Sequence, residues 1–136
     1  MIFRLSISTR SRTELIDVTD RVSEIVAGTG VQNGVCILFV PHTSAGVTLN
    51  EHADPDVARD LEDWLGRVAP QKANWRHIEF GEENADAHIK SSIAGASQFI
   101  PVQGGRLMLG IWQGIFFCEF DGPRKRDLIV QVLRED

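Results

Sequence analysis

The fold is decided by an apolar run at residues 35–40, VCILFV, which is rich in β-branched and large side chains. A continuous run of this kind predicts a central β-strand that is covered on both faces. Working outward, the alternation at residues 3–8 predicts a half-buried strand, and residues 14–18 predict the second arm of a hairpin. A short helix is expected to follow, capped by Asp17 or Thr19 and ended by glycines.

The clearest helix signal lies at residues 55–68, where apolar side chains recur at helical spacing behind Asp54 as N-cap and Pro55 as first residue. Residues 71–83 predict a long loop with Trp75 and Phe80 embedded in it, and Asn84 predicts the cap of a second short helix. Strand patterns dominate from residue 98 onward. The sequence therefore predicts an α+β fold in one domain, residues 1–136: a mainly antiparallel sheet or sandwich with two or three inserted helices.

Composition excludes several classes of protein. The chain has 136 residues and a formal net charge of −5, which argues against a nucleic-acid partner because such proteins normally present a basic face. No apolar run approaches the roughly 20 residues that span a bilayer, and the N-terminus lacks a signal-peptide block. We therefore expect a cytoplasmic protein with no membrane partner, whose two cysteines form no structural disulfide.

Candidate functional residues begin directly after the central apolar run, in residues 41–51, PHTSAGVTLNE. His42 follows a buried strand, where a rigid scaffold can hold an accessible imidazole, although a lone histidine can also simply bond a loop backbone. Thr43 and Ser44, with Gly46 nearby, can direct backbone amides at an anion. Asn50 is a candidate binding residue that could instead serve a turn, and Glu51 is a candidate catalytic carboxylate.

A second group lies at residues 84–92, NADAHIKSS. Helical spacing places Asn84 and His88 on one face, because residues three and four apart are neighbours. His42, His88 and Cys118, with His77 as a further candidate, would suit a divalent transition metal such as zinc, although their spacing matches no compact ligand motif. Cys118 has an alternative interpretation as a small buried hydrophobe.

A third group lies at residues 109–124. Trp112 and Gln113 stand between glycines in a strand context, where the tryptophan could stack on a heterocycle or belong to the core. Cys118 and the carboxylate after it should point to opposite faces of their strand. Arg124 is the best candidate for binding a phosphate or carboxylate, whereas Arg126 is interpreted as part of an exposed charged turn. We expect the three groups to meet in one composite pocket.

Together, residues 41–51, 84–91 and 109–124 resemble the signatures of the YjbQ-like proteins, also called the secondary thiamine-phosphate synthase family. One departure is Ile111, where the family usually has threonine. The resemblance implies a compact α+β subunit that assembles as a homotrimer, with a pocket near a subunit interface. It also implies an activity that joins a hydroxymethylpyrimidine diphosphate to a thiazole phosphate, forming thiamine phosphate and pyrophosphate.

On this hypothesis Lys90 and Arg124, with the amides near Ser44, would bind phosphates, while His42 or His88 would donate a proton or bind a divalent metal, magnesium or zinc. Glu51 would position substrate or a metal-bound water. Two alternatives remain open: a metal-dependent hydrolase of a phosphorylated metabolite, and a non-catalytic module that binds an anionic metabolite.

Overall fold

The computed structural model describes residues 1–78 and 83–136. Phe80, which the sequence placed in a loop, lies outside the described residues. Within these ranges the elements in chain order are β1 (Ile2–Ser8), β2 (Glu14–Asp17), α1 (Thr19–Thr29), β3 (Asn33–Phe39), β4 (Ala45–Glu51), α2 (Pro55–Val68), α3 (Ala85–Ala94), β5 (Ser97–Gln103), β6 (Arg106–Leu107), β7 (Gln113–Glu119) and β8 (Lys125–Arg134). No helix among them is long and apolar enough to cross a membrane.

The strands form two antiparallel sheets. One has the order β1-β8-β3-β5-β6 and the other has the order β2-β7-β4. Their inner faces share one core, to which Leu38 and Val130 contribute from the first sheet and Val47 and Phe117 from the second. The prediction of an α+β fold built on mainly antiparallel sheet is confirmed.

Strand β3 lies at the centre of the five-stranded sheet, as predicted, but only one of its faces is covered. Leu38 is completely buried, whereas Phe39 is 44% exposed and Phe99 on the neighbouring strand is 75% exposed. The prediction of a strand covered on both faces is therefore wrong for a single chain, because α2 and α3 pack on the other sheet. We call the exposed side the outer sheet face; it carries Ile2, Phe39, Phe99 and Leu133.

The predicted hairpin between the first two strands is also wrong. Strand β1 pairs with β8, whereas β2 pairs with β7 in the other sheet. The physical reason is that both faces of β2 carry an apolar side chain: Ile16 packs on the inter-sheet core and Leu15 on the core beneath the helices. Only a position beside β7 covers both.

Strand β7 is buried on both faces, because a core lies on each side of it. Ile115 and Phe117 enter the inter-sheet core, while Phe116 and Cys118 enter a second core with Leu65 of α2 and Ala87 of α3. The expectation that Cys118 and its neighbouring carboxylate point to opposite faces is confirmed.

The predicted signals at Asp54 and Gly30 are confirmed, whereas the N-cap of α1 is Val18, not Asp17 or Thr19, and it makes no side-chain capping bond. Asp54 accepts a hydrogen bond from the amide of Asp56 at the start of α2, and a proline occupies the first turn. Helix α1 ends at Gly30, whose φ of 73° lies in the left-handed region that glycine adopts without strain. Asn84 precedes α3 but makes no capping bond, since its amide is used elsewhere.

Helix α3 is anchored by a buried carboxylate, Asp86. The carboxylate accepts bonds from Arg12 at 2.9 and 3.1 Å and from Lys90 at 2.8 Å, and its side chain is completely buried. Burial alone would raise the pKa of Asp86, but the bonds from Arg12 and Lys90 outweigh it and hold that pKa below its usual value. This charge cluster fixes the helix that carries His88.

We expect Asp86→Asn to lower the free energy of unfolding by about 3–5 kcal/mol, because it leaves the buried ammonium of Lys90 without its counter-charge. Urea denaturation would measure the change. The matched control is Asp56→Asn, which breaks the exposed pair with Arg59 on α2 and should change stability little. Equal losses in the two variants would contradict the anchoring role.

Candidate active site

A pocket of about 410 Å³ opens where the segment before β4 meets the start of α3 and the turn between β7 and β8. We call it the anion pocket. The structure brings several of the predicted site residues together there: His42, Thr43, Ser44, Asn84, His88 and Arg124. Pro41, Asp121 and Arg126 complete its lining. The three sequence segments therefore meet in space, as expected, although only part of each reaches the pocket.

The floor of the pocket is a buried ion pair between Glu119 and Arg126. Glu119 is fully buried and accepts hydrogen bonds from Arg126 Nε at 2.8 Å and Thr9 Oγ1 at 2.7 Å. Its other oxygen accepts Arg126 Nη2 and the amides of Phe120 and Asp121. Burial alone would raise the pKa of Glu119, but the bonds from Arg126 and Thr9 outweigh it, so the pKa lies below its usual value.

The interpretation of Arg126 as an exposed turn residue is wrong, since it is only 5% exposed. Its Nη2 also donates to Ser44 Oγ at 2.8 Å, which fixes that hydroxyl. Within the described residues the bonds of Arg126 to side chains use its Nε and Nη2, so Nη1 is the nitrogen left to donate to a ligand in the pocket that Arg126 lines. The sequence contains a signal that Arg126 is buried, because it shares the inward face of β8 with Leu128 and Val130.

Arg124 supplies a second guanidinium at the pocket rim. Its Nε donates to the backbone oxygen of Asp121 at 2.7 Å, and Nη2 donates to the carboxylate of Asp121 at 2.9 Å. The Arg124 side chain is 53% exposed, so the remaining donors can reach a ligand. Glu119 offsets the charge of Arg126 from beneath, and the described side chains that line the pocket include two cations, Arg124 and Arg126, and one carboxylate, Asp121. An anion is the ligand that this balance favours.

The two pocket histidines have opposite hydrogen-bonding roles. His42 Nε2 accepts the backbone amide of Asp127 at 2.9 Å, which leaves the proton of the neutral ring on Nδ1. His88 Nδ1 lies 2.9 Å from the carbonyl oxygen of Thr43, which can only accept, so the neutral ring keeps a free lone pair on Nε2. Burial, and then the charge of Arg126, lower the pKa of His42. His42 therefore offers a donor and His88 an acceptor.

Asn84 links the histidines to the pocket rim. Its Nδ2 donates to the Asp121 carboxylate at 3.0 Å, so its Oδ1 must accept from His77 Nε2 at 3.1 Å. The His77 ring meets the His88 ring edge to face, with centroids 5.1 Å apart. Asn84 therefore positions His77, which packs on His88, and it also lines the anion pocket.

Four predicted site residues lie at the opposite end of the β4–β7 pair: Asn50, Glu51, Trp112 and Gln113. The register pairs Ala45 with Glu119 at one end and Glu51 with Gln113 at the other, a separation of roughly 20 Å at the rise of an antiparallel strand. Local contacts occupy this group: Glu51 accepts the amide of Asp54, and Gln113 Oε1 accepts the amide of Gly110.

Trp112 and Ile111 lie at the tip of the loop before β7 and are 61% and 85% exposed. In a single chain the tryptophan therefore packs neither on the core nor on the anion pocket. The missing threonine hydroxyl at Ile111 is likewise remote from the pocket.

Lys90 and Cys118 do not reach the pocket either. The ammonium of Lys90 is buried against Asp86, and Cys118 packs beneath α2 and α3, where burial, followed by the charge of Glu62, raises its pKa to about 12. Gly46, expected to help cradle an anion, is instead required by close packing: a Cβ there would lie 2.7 Å from the carbonyl oxygen of Gly95.

The proposed zinc ligands do not fit a metal centre. His42 has its only lone pair bonded to an amide, and Cys118 lies on the opposite face of β7 from the pocket. Among residues 1–78 and 83–136 no group of three histidine, cysteine or carboxylate side chains is arranged to hold a metal ion. Of the described residues that line the pocket, Asp121 is the carboxylate that could help to hold a magnesium ion carried by a diphosphate.

Comparison with known proteins identifies the family. The model of a family described as UPF0047 protein YjbQ-like matches residues 3–135. The chain belongs to the YjbQ-like family. It is 44% identical to a UPF0047 protein of Methanocaldococcus jannaschii over 98% of this chain and 94% of that protein. It is also 45% identical to the UPF0047 protein YugU of Bacillus subtilis, over 98% and 99% of the two chains.

Solved structures agree with the YjbQ-like fold. A crystal structure of an uncharacterised YjbQ/UPF0047 family protein from Clostridium acetobutylicum superposes with a TM-score of 0.92 at 44% identity, covering 96% of this chain and 99% of that one. A YbjQ-like protein of unknown function from Sulfolobus solfataricus gives a TM-score of 0.94 at 35% identity, over 99% and 97%. The sequence-based recognition of the family is confirmed.

The Glu119–Arg126 pair gives a pH prediction for this YjbQ-like protein. The pKa of Glu119 is lower in the folded than in the unfolded chain, where it is about 4.3. Its contribution to stability is therefore complete above that value and is lost as the pH falls through the folded-state pKa. We expect the free energy of unfolding, measured by urea denaturation, to fall below about pH 4, and to fall less steeply in Glu119→Gln.

Glu24→Gln on the exposed side of α1 is the matched control and should keep the wild-type slope. Identical slopes for wild type and Glu119→Gln would show that the buried pair does not carry this acid dependence. Glu119→Gln should also be less stable at neutral pH, since the buried guanidinium loses its counter-charge.

Proposed function

We propose that this YjbQ-like protein is an enzyme that binds a phosphorylated small molecule in the anion pocket, and that its reaction is of the thiamine-phosphate synthase type. The observation that carries the proposal is the convergence of two guanidinium groups, Arg124 and Arg126, with the Nδ1 donor of His42. A guanidinium group can donate two parallel hydrogen bonds to the oxygens of one phosphate. The expected homotrimer and cytoplasmic location belong to the same proposal.

The proposed reaction places most of its demand on the leaving group. The C–O bond to the diphosphate breaks, the pyrophosphate leaves with the electron pair, and the thiazole nitrogen forms the new C–N bond. No proton has to leave that nitrogen, so the site must mainly stabilise negative charge that grows on the diphosphate. Arg124, Arg126 and the His42 N–H are suited to that role, and the His88 lone pair can accept a bond from a heterocycle N–H.

A magnesium ion would neutralise further charge on the leaving diphosphate. Asp121 is the pocket carboxylate suited to holding it, with the phosphates as its other ligands. The metal-dependent hydrolase gains no support, because His42, His88 and Cys118 do not form a ligand set. The non-catalytic binding module differs from the enzyme only in turnover, so one experiment separates them.

The homotrimer is proposed from the outer sheet face. The pattern at residues 35–40 predicts that this face of β3 is buried, yet its apolar side chains are exposed. On the strands beside it, Ile2 is 67% exposed and Phe99 is 75% exposed. Neighbouring subunits that cover this face would give β3 the second buried side that its sequence predicts. The two cysteines are free and buried, which is compatible with a reducing compartment.

To test the reaction, the purified protein is given both substrates with magnesium, and thiamine phosphate and pyrophosphate are measured. We expect turnover that falls by roughly 10- to 100-fold in Arg124→Ala, since a charge-assisted bond contributes about 1.5–3 kcal/mol. Arg59→Ala is the matched control: it also removes an arginine paired with an aspartate three residues away.

Wild-type product no greater than that of Arg124→Ala would reject the transferase. Calorimetry would show whether the diphosphate binds. If it binds to the wild type but not to Arg124→Ala, and no product forms, the protein is a non-catalytic binding module. His88→Gln should lower turnover while pyrophosphate affinity stays close to wild type, because His88 is proposed to contact the heterocycle.

To test the assembly, molar mass is measured by light scattering. We expect a trimer for the wild type and dissociation in Phe99→Lys, because a charge on the outer sheet face cannot be buried between subunits. Val68→Lys, at a side chain 48% exposed on α2, should leave the trimer intact. A monomeric wild type would contradict the proposal.

A further inference from the structure

A second cavity, of about 400 Å³, lies beside the anion pocket and shares His88 with it. We call it the side cavity. Its apolar lining comes from Trp75, Ala85 and Ile89, and His77 lines it beside His88. Asn74 and Arg76 are the polar side chains at its edge. The anion pocket, by contrast, is lined mainly by charged and polar side chains. A ligand that fills both must therefore be anionic at one end and apolar at the other.

Trp75 is held in a fixed orientation at this cavity. Its indole Nε1 donates to the carbonyl oxygen of Pro70 at 2.9 Å, which ties the ring to the end of the α2 segment. The side chain is half-buried, so part of the ring remains available to the cavity that it lines. Trp112, the tryptophan that the sequence favoured for stacking, lies at the other end of β4 and β7.

The His77–His88 pair, whose second member lines both cavities, is also fixed. His88 is bonded to the Thr43 carbonyl, and His77 is held by Asn84, which in turn is held by Asp121 of the anion pocket. The two imidazoles meet edge to face at 64°. The pair therefore presents aromatic edges and a ring nitrogen to whatever occupies the side cavity.

We propose that the side cavity is a binding site for a planar aromatic or heteroaromatic ring whose phosphate group is bound by Arg124 and Arg126. Trp75 provides the ring platform and is the specificity-determining residue that separates aromatic from aliphatic phosphate esters. This inference rests on the proposed function, since the phosphate must occupy the anion pocket. It adds the place where the ring binds and a residue, Trp75, that the motifs did not indicate.

The test compares the affinities of inorganic phosphate, ethyl phosphate and benzyl phosphate for the full chain by calorimetry. We expect benzyl phosphate to bind roughly tenfold more tightly than ethyl phosphate, the lower part of the range for stacking of a ring on an aromatic side chain. Trp75→Leu should abolish that preference, whereas Trp75→Phe should keep most of it. Both variants lose the bond to Pro70, so only the ring distinguishes them.

Two controls separate the possible failures. Trp112→Leu should keep the wild-type preference, and inorganic phosphate should bind Trp75→Leu as it binds the wild type, which shows that the variant is folded. Equal binding of benzyl and ethyl phosphate to the wild type would contradict the proposed role of the side cavity, and so would a preference that persists in Trp75→Leu. Neither result would contradict phosphate binding in the anion pocket. If none of the three compounds binds, both the proposed function and this inference fail.

Discussion

The buried pair of Glu119 and Arg126 is the interaction on which both the fold and the pocket depend. Two charges removed from water are stable only when their remaining hydrogen-bonding groups are satisfied, and here the carboxylate also bonds Thr9 and two backbone amides. These partners come from the end of β1, the end of β7 and the start of β8. The same contact that joins the two sheets therefore sets Ser44 and the guanidinium at the pocket floor.

Periodicity was sufficient for the elements but not for their pairing. The strand at residues 35–40, the caps at Asp54 and Gly30 and the alternation in β1 are local signals, and each was correct. The assignment of β2 to a hairpin with β1 failed because Leu15 and Ile16 show that both faces are apolar but not which strand offers a core on each side. Such information lies in β7, a hundred positions further along the chain.

The site was predictable only where its motif residues lie near a strand end. His42, Ser44 and Arg124 meet because β4 begins where β7 ends. Glu51 and Trp112 were expected to join them, but an antiparallel pair of seven residues carries them to the opposite end. Arg126 was assigned to an exposed turn because it is charged. Its position in the strand indicates the opposite, since it continues the inward alternation of Leu128, and a buried arginine implies a buried counter-ion. The alternation of β8 was therefore the sequence signal that could have identified Arg126 as buried.

The histidines show most directly why the chemistry of the pocket cannot be deduced from motif residues alone. His42 meets a backbone N–H from Asp127, and His88 meets a carbonyl oxygen from Thr43. The same side chain thus becomes a donor in one case and an acceptor in the other, through contacts made by distant segments. Because burial and Arg126 disfavour a charged His42, the cationic groups that line the described part of the pocket are the guanidinium groups of Arg124 and Arg126. Attraction for an anion is consequently built into the pocket, and the histidines are left to orient the ligand.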